Sequence, residues 1–178
     1  MTTARSSHSA PDRYDALARL LHWGMALCFL WIFTSAITHN LFEKSAMDSF
    51  FWPTHKPTGL LLMVLVLIRI LWTLVTLRQR PASVSVMAKL GHLGLYALMF
   101  AIPALGLLRQ YGSGRSFEAF GIQVMQGFQG PRIQWAVDLG NTFHSTLGWI
   151  LLAAIVGHIV IAISHAAGGH PEILRRMR

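Results

Sequence analysis

Four long apolar stretches govern what this chain can fold into. They cover residues 20–36, 58–77, 90–108 and 143–163. Each is close to the roughly 20 helical residues that cross a hydrocarbon core about 30 Å thick. Backbone groups in hydrocarbon must pair within their own segment, and for stretches like these the helix is the solution that achieves it. The second and fourth stretches show no amphipathic period with a polar face, as helices at the surface of a soluble protein would. Only 12 % of the residues are charged, about half of what a soluble domain carries. The fold class that follows is all-α: an integral membrane four-helix bundle forming a single domain over 1–178. Its helices are expected at about 14–38, 56–78, 88–110 and 141–166, with outer loops at about 39–55 and 111–140. A short helix is expected within the second loop, near 132–139. The first stretch is not a cleavable signal peptide, because no small-residue cleavage site follows it.

The net charge of +8 could point to nucleic acid, but its distribution assigns it to topology. Nine basic residues (Arg5, Arg13, Arg19, Arg78, Arg80, Lys89, Arg175, Arg176, Arg178) fall on one side of the four stretches. Five (Lys44, Lys56, Arg109, Arg115, Arg132) fall on the other. The richer side faces the cytoplasm. Both termini are therefore expected there, in a multi-pass membrane protein whose partner is the lipid bilayer and not a nucleic acid. The single cysteine, Cys28, excludes a disulfide scaffold and any cysteine-based zinc or iron–sulfur site.

Ionisable residues inside membrane helices are costly and mark function, and here they are mainly histidines. His22 opens the first helix, His55 the second and His92 the third. His144 and His158 lie on the fourth, with His165 near its end. The fourteen residues from His144 to His158 correspond to about 21 Å along a helix and to nearly the same face. With alternating helix directions, His55 and His144 form an outer pair, and His22 and His158 an inner pair. Two imidazoles at each of two depths, with no acid or thiol, read as two bis-histidine haems b. Zinc would require more ligands at each level. His92 has the right depth to replace His22, or to hydrogen-bond a propionate or a backbone carbonyl.

Neighbouring residues extend this reading. Gly59 follows His55 by four positions, as Gly148 follows His144, which puts each glycine on its histidine's face. There it clears room for a flat macrocycle, or else serves tight helix packing. Arg69 follows His55 by fourteen residues, which sets it at the inner level. Its partner there is a haem propionate, unless it snorkels to the headgroups. His165 and Arg19 lie where a quinone could be met. Lys56 and Arg109 are candidates for a basic mouth that steers an anionic donor.

Several segments together carry a family resemblance over about residues 13–165. They are Arg13-Tyr14 with Leu21-His22-Trp23, His55-Lys56-Pro57-Thr58-Gly59, and Gly91-His92-Leu93-Gly94-Leu95-Tyr96 with Pro103 and Gly106. Phe117-Glu118-Ala119-Phe120-Gly121, His144 with Gly148, and His158 complete the set. The chain resembles the bacterial cytochrome b561 family of small di-haem membrane cytochromes. The resemblance implies that His22, His55, His144 and His158 are axial ligands of two b haems, and that electrons are exchanged with ubiquinone. In the branch it looks most like, superoxide is oxidised on the periplasmic side, and a histidine matching His165 is associated with quinone. Larger kin anchor hydrogenases and formate dehydrogenases and carry extra helices or longer termini, which favours a free-standing cytochrome here. A haem-bearing conduit for a periplasmic dehydrogenase and a non-redox metal-binding membrane protein are the alternatives.

Overall fold

A computed structural model describes residues 13–81 and 83–177; Arg5 and Arg178, two of the basic residues weighed above, lie outside them. Helix α1 covers Ala16–Leu41, α2 Ala46–Phe51, α3 His55–Val75, α4 Val86–Gly112, α5 Gln134–Ala167 and α6 Glu172–Arg175. Between α4 and α5 stand two short strands, β1 (Phe117–Ala119) and β2 (Ile122–Met125). Among the described residues four helical segments are long and apolar enough to cross a membrane. The all-helical membrane bundle is therefore the architecture, with one small antiparallel hairpin added.

Local chemistry sets the helix ends. Asp15 caps α1, its carboxylate accepting from the Ala18 N–H at 2.9 Å. Ser45 and Ser85 cap α2 and α4 in the same way. Such caps satisfy donors that the first turn leaves orphaned. Within the spans, hydroxyls donate to the preceding turn: Thr34 to Leu30 O, Thr73 to Arg69 O and Thr76 to Trp72 O. No polar side chain of this set then needs water.

The helices pack in sequence order, α1 on α3, α3 on α4 and α4 on α5. Met25, Leu62 and Val66 form the buried centre of the first contacts, with Phe29, Ile32, Tyr96 and Met99 against them. The α4–α5 seam is the closest. A Cβ at Gly112 would meet the Ala136 Cβ at 2.8 Å, and one at Gly140 would meet the Arg109 side chain and Leu105 O. Small residues let helix backbones approach in this way. Both ends of the described chain meet at one end of the bundle: the Tyr14 N–H donates to Arg176 O at 3.1 Å, and the Trp23 indole N–H to Met177 O at 2.8 Å.

The connections differ from simple loops. Residues 39–55 hold α2 and a turn of 3-10 helix at Trp52–Thr54. The short helix expected near 132–139 is instead the first turns of α5, which runs unbroken from Gln134. The Ile133 N–H donates to Gly112 O at 2.9 Å, so the seam that packs α4 on α5 also starts α5 early.

Candidate haem-binding site

Three spans converge on α5. His55, at the start of α3, faces His144 on α5 with ring centroids 6.2 Å apart and planes at 72°. His22 on α1 faces His158 on α5 at 6.4 Å and 70°. The two pairs thus share α5 and repeat one geometry. His92 on α4 also approaches His158, at 5.5 Å and 72°, so His158 has one imidazole neighbour on α1 and another on α4. Among the described residues no three or more His, Cys, Asp or Glu side chains converge as a metal cluster, which a tetrahedral zinc site would need.

Hydrogen bonding at the ring nitrogens distinguishes the levels. His55 Nδ1 lies 2.7 Å from Ser35 Oγ, whose own proton is donated to Ile32 O. His55 must therefore donate from Nδ1. His144 Nδ1 lies 2.9 Å from Ile102 O, a pure acceptor, so it also donates. Both rings are held in the tautomer that leaves the Nε2 lone pair free, as a ligating imidazole requires. The His22 level differs. Arg69 Nη1 lies 3.0 Å from His22 Nδ1, and a guanidinium can only donate, so His22 Nδ1 accepts and the ring proton sits on Nε2; His22 can hold a metal through Nε2 only once Arg69 turns away from it. Arg69 also stands over the Tyr96 ring at 5.8 Å. Its Nε is buried without a partner.

The donor set fits haem b on three observations. Two imidazole nitrogens, each about 2 Å from one metal ion, put ring centroids roughly 6.3 Å apart, close to the 6.2 and 6.4 Å found. The orphaned Arg69 Nε is a donor waiting for an anion, such as a carboxylate. Space is available on the faces of His55 and His144: four residues on, a Cβ at Gly148 would meet nothing within 4 Å, and at Gly59 only the Ile32 Cδ1 at 3.5 Å. Gly106 was carried in the sequence only as part of a motif, yet it has a specific task. A Cβ there would lie 3.0 Å from His144 Cε1 and 3.1 Å from Nδ1, so its absence lets the His144 ring lie on α4 and reach Ile102 O.

The remaining candidates lie at the two ends. Lys56 Nζ donates to Gln110 Oε1 at 2.9 Å. The buried Gln110 amide in turn donates to Arg115 O and Ser116 O, each at 3.0 Å. Arg115 and Arg109 both act electrostatically on Lys56. Gln110 is the residue sequence reasoning missed here, since an amide near a helix end carries no signal until its partners are known. At the other end, Arg19 sits in the first turns of α1 and His165 in the last turn of α5. His165 Nδ1 lies 2.8 Å from Ile161 O, a carbonyl one turn back on α5, so Nδ1 donates and the lone pair is left on Nε2.

A helical membrane bundle with imidazole pairs at two depths belongs to the class of membrane haem proteins that carry electrons. The chain belongs to the prokaryotic cytochrome b561 family, which it matches over residues 13–178; it is a bacterial membrane electron-transfer protein of a family that binds haem b. It is 29 % identical over 182 aligned residues to a protein of Escherichia coli (strain K12) named cytochrome b561 homolog 2, covering 95 % of this chain and 93 % of that one. It is also 27 % identical over 162 residues to a Yersinia pestis protein named probable superoxide oxidase CybB, covering 84 % and 90 %.

Proposed function

We propose that this protein holds two haems b, one between His55 and His144 and one between His22 and His158, and moves electrons from superoxide to ubiquinone across the bacterial inner membrane. Both termini lie in the cytoplasm in this reading. The observation that carries it is the repeated pair geometry, 6.2 Å and 72° at one level and 6.4 Å and 70° at the other. The 5.5 Å separation of His92 from His158 is short for two rings sharing one metal ion, which favours His22 as the ligand and His92 as its neighbour. Haem b, when bound in this way, supplies a one-electron carrier at each level with no open coordination position.

The chain's own residues supply the rest. Lys56, fixed by Gln110, and the nearby Arg109 and Arg115 form a positive rim on the periplasmic face. That rim attracts an anion and raises its encounter rate. Superoxide gives up one electron there and leaves as oxygen. Two such electrons and two protons convert one ubiquinone to ubiquinol at the opposite face. His165, with Nδ1 committed to Ile161 O, offers Nε2 to a quinone oxygen and can carry one of those protons. Arg19 provides positive charge beside it. Arg69 holds a haem carboxylate with the donor it has free. The glycines Gly59 and Gly148 leave the space beside their histidines open.

The test is purified protein in ubiquinone-containing liposomes supplied with enzymatically generated superoxide. Quinol formation that stops on adding superoxide dismutase is expected. Reduction by other donors with no response to superoxide would overturn superoxide as the donor and favour a conduit for a periplasmic dehydrogenase.

A further inference from the structure

The hairpin between α4 and α5 breaks a local rule. Ala119 pairs with Ile122, so the turn is the two residues Phe120 and Gly121. Both have positive φ, +53° and +77°, the pattern of a type I′ turn that favours Asn-Gly. A phenylalanine in the left-handed region is disfavoured, because its Cβ crowds the backbone carbonyl. No burial in protein offsets this: Phe120 is 67 % exposed, and Ile122 beside it 68 %.

What Phe120 borders supplies the reason. Its ring edges a groove formed by Leu27, Cys28 and Trp31 of α1 and Thr58 and Leu61 of α3. All five lie inside membrane spans. Thr58 and Leu61 are three and six residues into α3 from His55, which sets the groove about 5–9 Å deeper in the bundle than His55. A hairpin from an outer loop therefore reaches back over the lipid-facing surface. We infer that the Phe120–Gly121 turn is a membrane-seated wedge, with Phe120 and Ile122 resting among lipid acyl chains over the α1–α3 groove.

The rest of the hairpin sets the depth. Phe117 and Ala119 of β1 are buried while Glu118 is exposed. Only the tip can enter hydrocarbon, since a charge and open strand edges cannot follow. The stem is tied through Gln110 to Lys56, so a seated tip also fixes the rim that holds Lys56.

The test places a nitroxide at Phe120→Cys or Ile122→Cys in a Cys28→Ala background, in liposomes, and measures collisions with oxygen and with a water-soluble nickel chelate. Leu67→Cys, on the lipid-facing side of α3, and Gln126→Cys, in the loop, are the references. Labels at 120 and 122 are expected to match 67, with oxygen access and loss of nickel access. Nickel access equal to that at 126 would overturn the wedge. So would shielding from both probes, which would mean that protein covers the tip. Adding Phe120→Asn, which relieves the backbone, is expected to restore nickel access at 122. An unchanged profile there would contradict the role given to Phe120.

Discussion

At His55 and His144 the Nδ1 proton already has an acceptor, Ser35 Oγ in one case and Ile102 O in the other. Such partners fix the tautomer and raise the basicity of the opposite nitrogen. Ser35→Ala removes one of them. It is expected to weaken retention of the haem at that level by roughly 10–100-fold and to raise its midpoint potential, while the His22 level keeps its haem and potential. Redox titration and haem quantification of this variant beside the wild type check this. The same ring tests Gly106. Gly106→Val places a side chain 3.0 Å from His144 Cε1 and is expected to cost the chain one haem. Gly91→Ala, where a Cβ meets nothing within 4 Å, is expected to cost none. The histidines were legible in the sequence because ionisable groups stand out in apolar helices. Ser35, Ile102 O and Gly106 were not, because their part depends on which helices touch and not on any spacing along one of them.

The elements follow the same division. The spans were legible because hydrocarbon thickness fixes their length and composition. Helix α5 begins at Gln134, ahead of the apolar run, because its first turns are held by the Gly112 and Gly140 seam, which hydropathy does not encode. The hairpin escaped notice because Phe-Gly is a poor signal for the turn it makes. Between α1 and α3, Asp15 joins two elements at once: it caps α1 and accepts the Trp72 indole N–H at 2.9 Å. Partial burial pushes its carboxyl up, but the Ala18 N–H and the Trp72 indole outweigh that and hold it below the usual carboxylate range. A depressed pKa in the folded state stabilises above the unfolded value, near 3.9, and the gain is lost as pH falls through the folded value. Asp15→Ala is therefore expected to cost about 1 kcal/mol at neutral pH. That cost should shrink below about pH 4, as thermal unfolding across pH will show.

Across the whole molecule, charged and polar side chains gather at the two ends of the bundle. One carries Lys56, Gln110 and Arg115 beside the hairpin; the other carries Arg19 and His165 where the termini meet. If the first end steers an anion, superoxide-dependent quinone reduction should fall as ionic strength rises, because exposed charges are screened beyond about 8–10 Å at physiological salt. Lys56→Gln should lower the rate at low salt and flatten that dependence, with haem content unchanged. A rate indifferent to salt would remove the rim from the pathway. All of this depends on two haems held by four histidines. The most direct measurement is a dithionite-reduced minus oxidised spectrum of purified protein, with haem quantified per chain, for the wild type and for His55→Ala and His158→Ala. Two low-spin b haems per chain are expected in the wild type, and one in each variant. One haem or none in the wild type, or two retained in either variant, would contradict the assignment of the two histidine pairs.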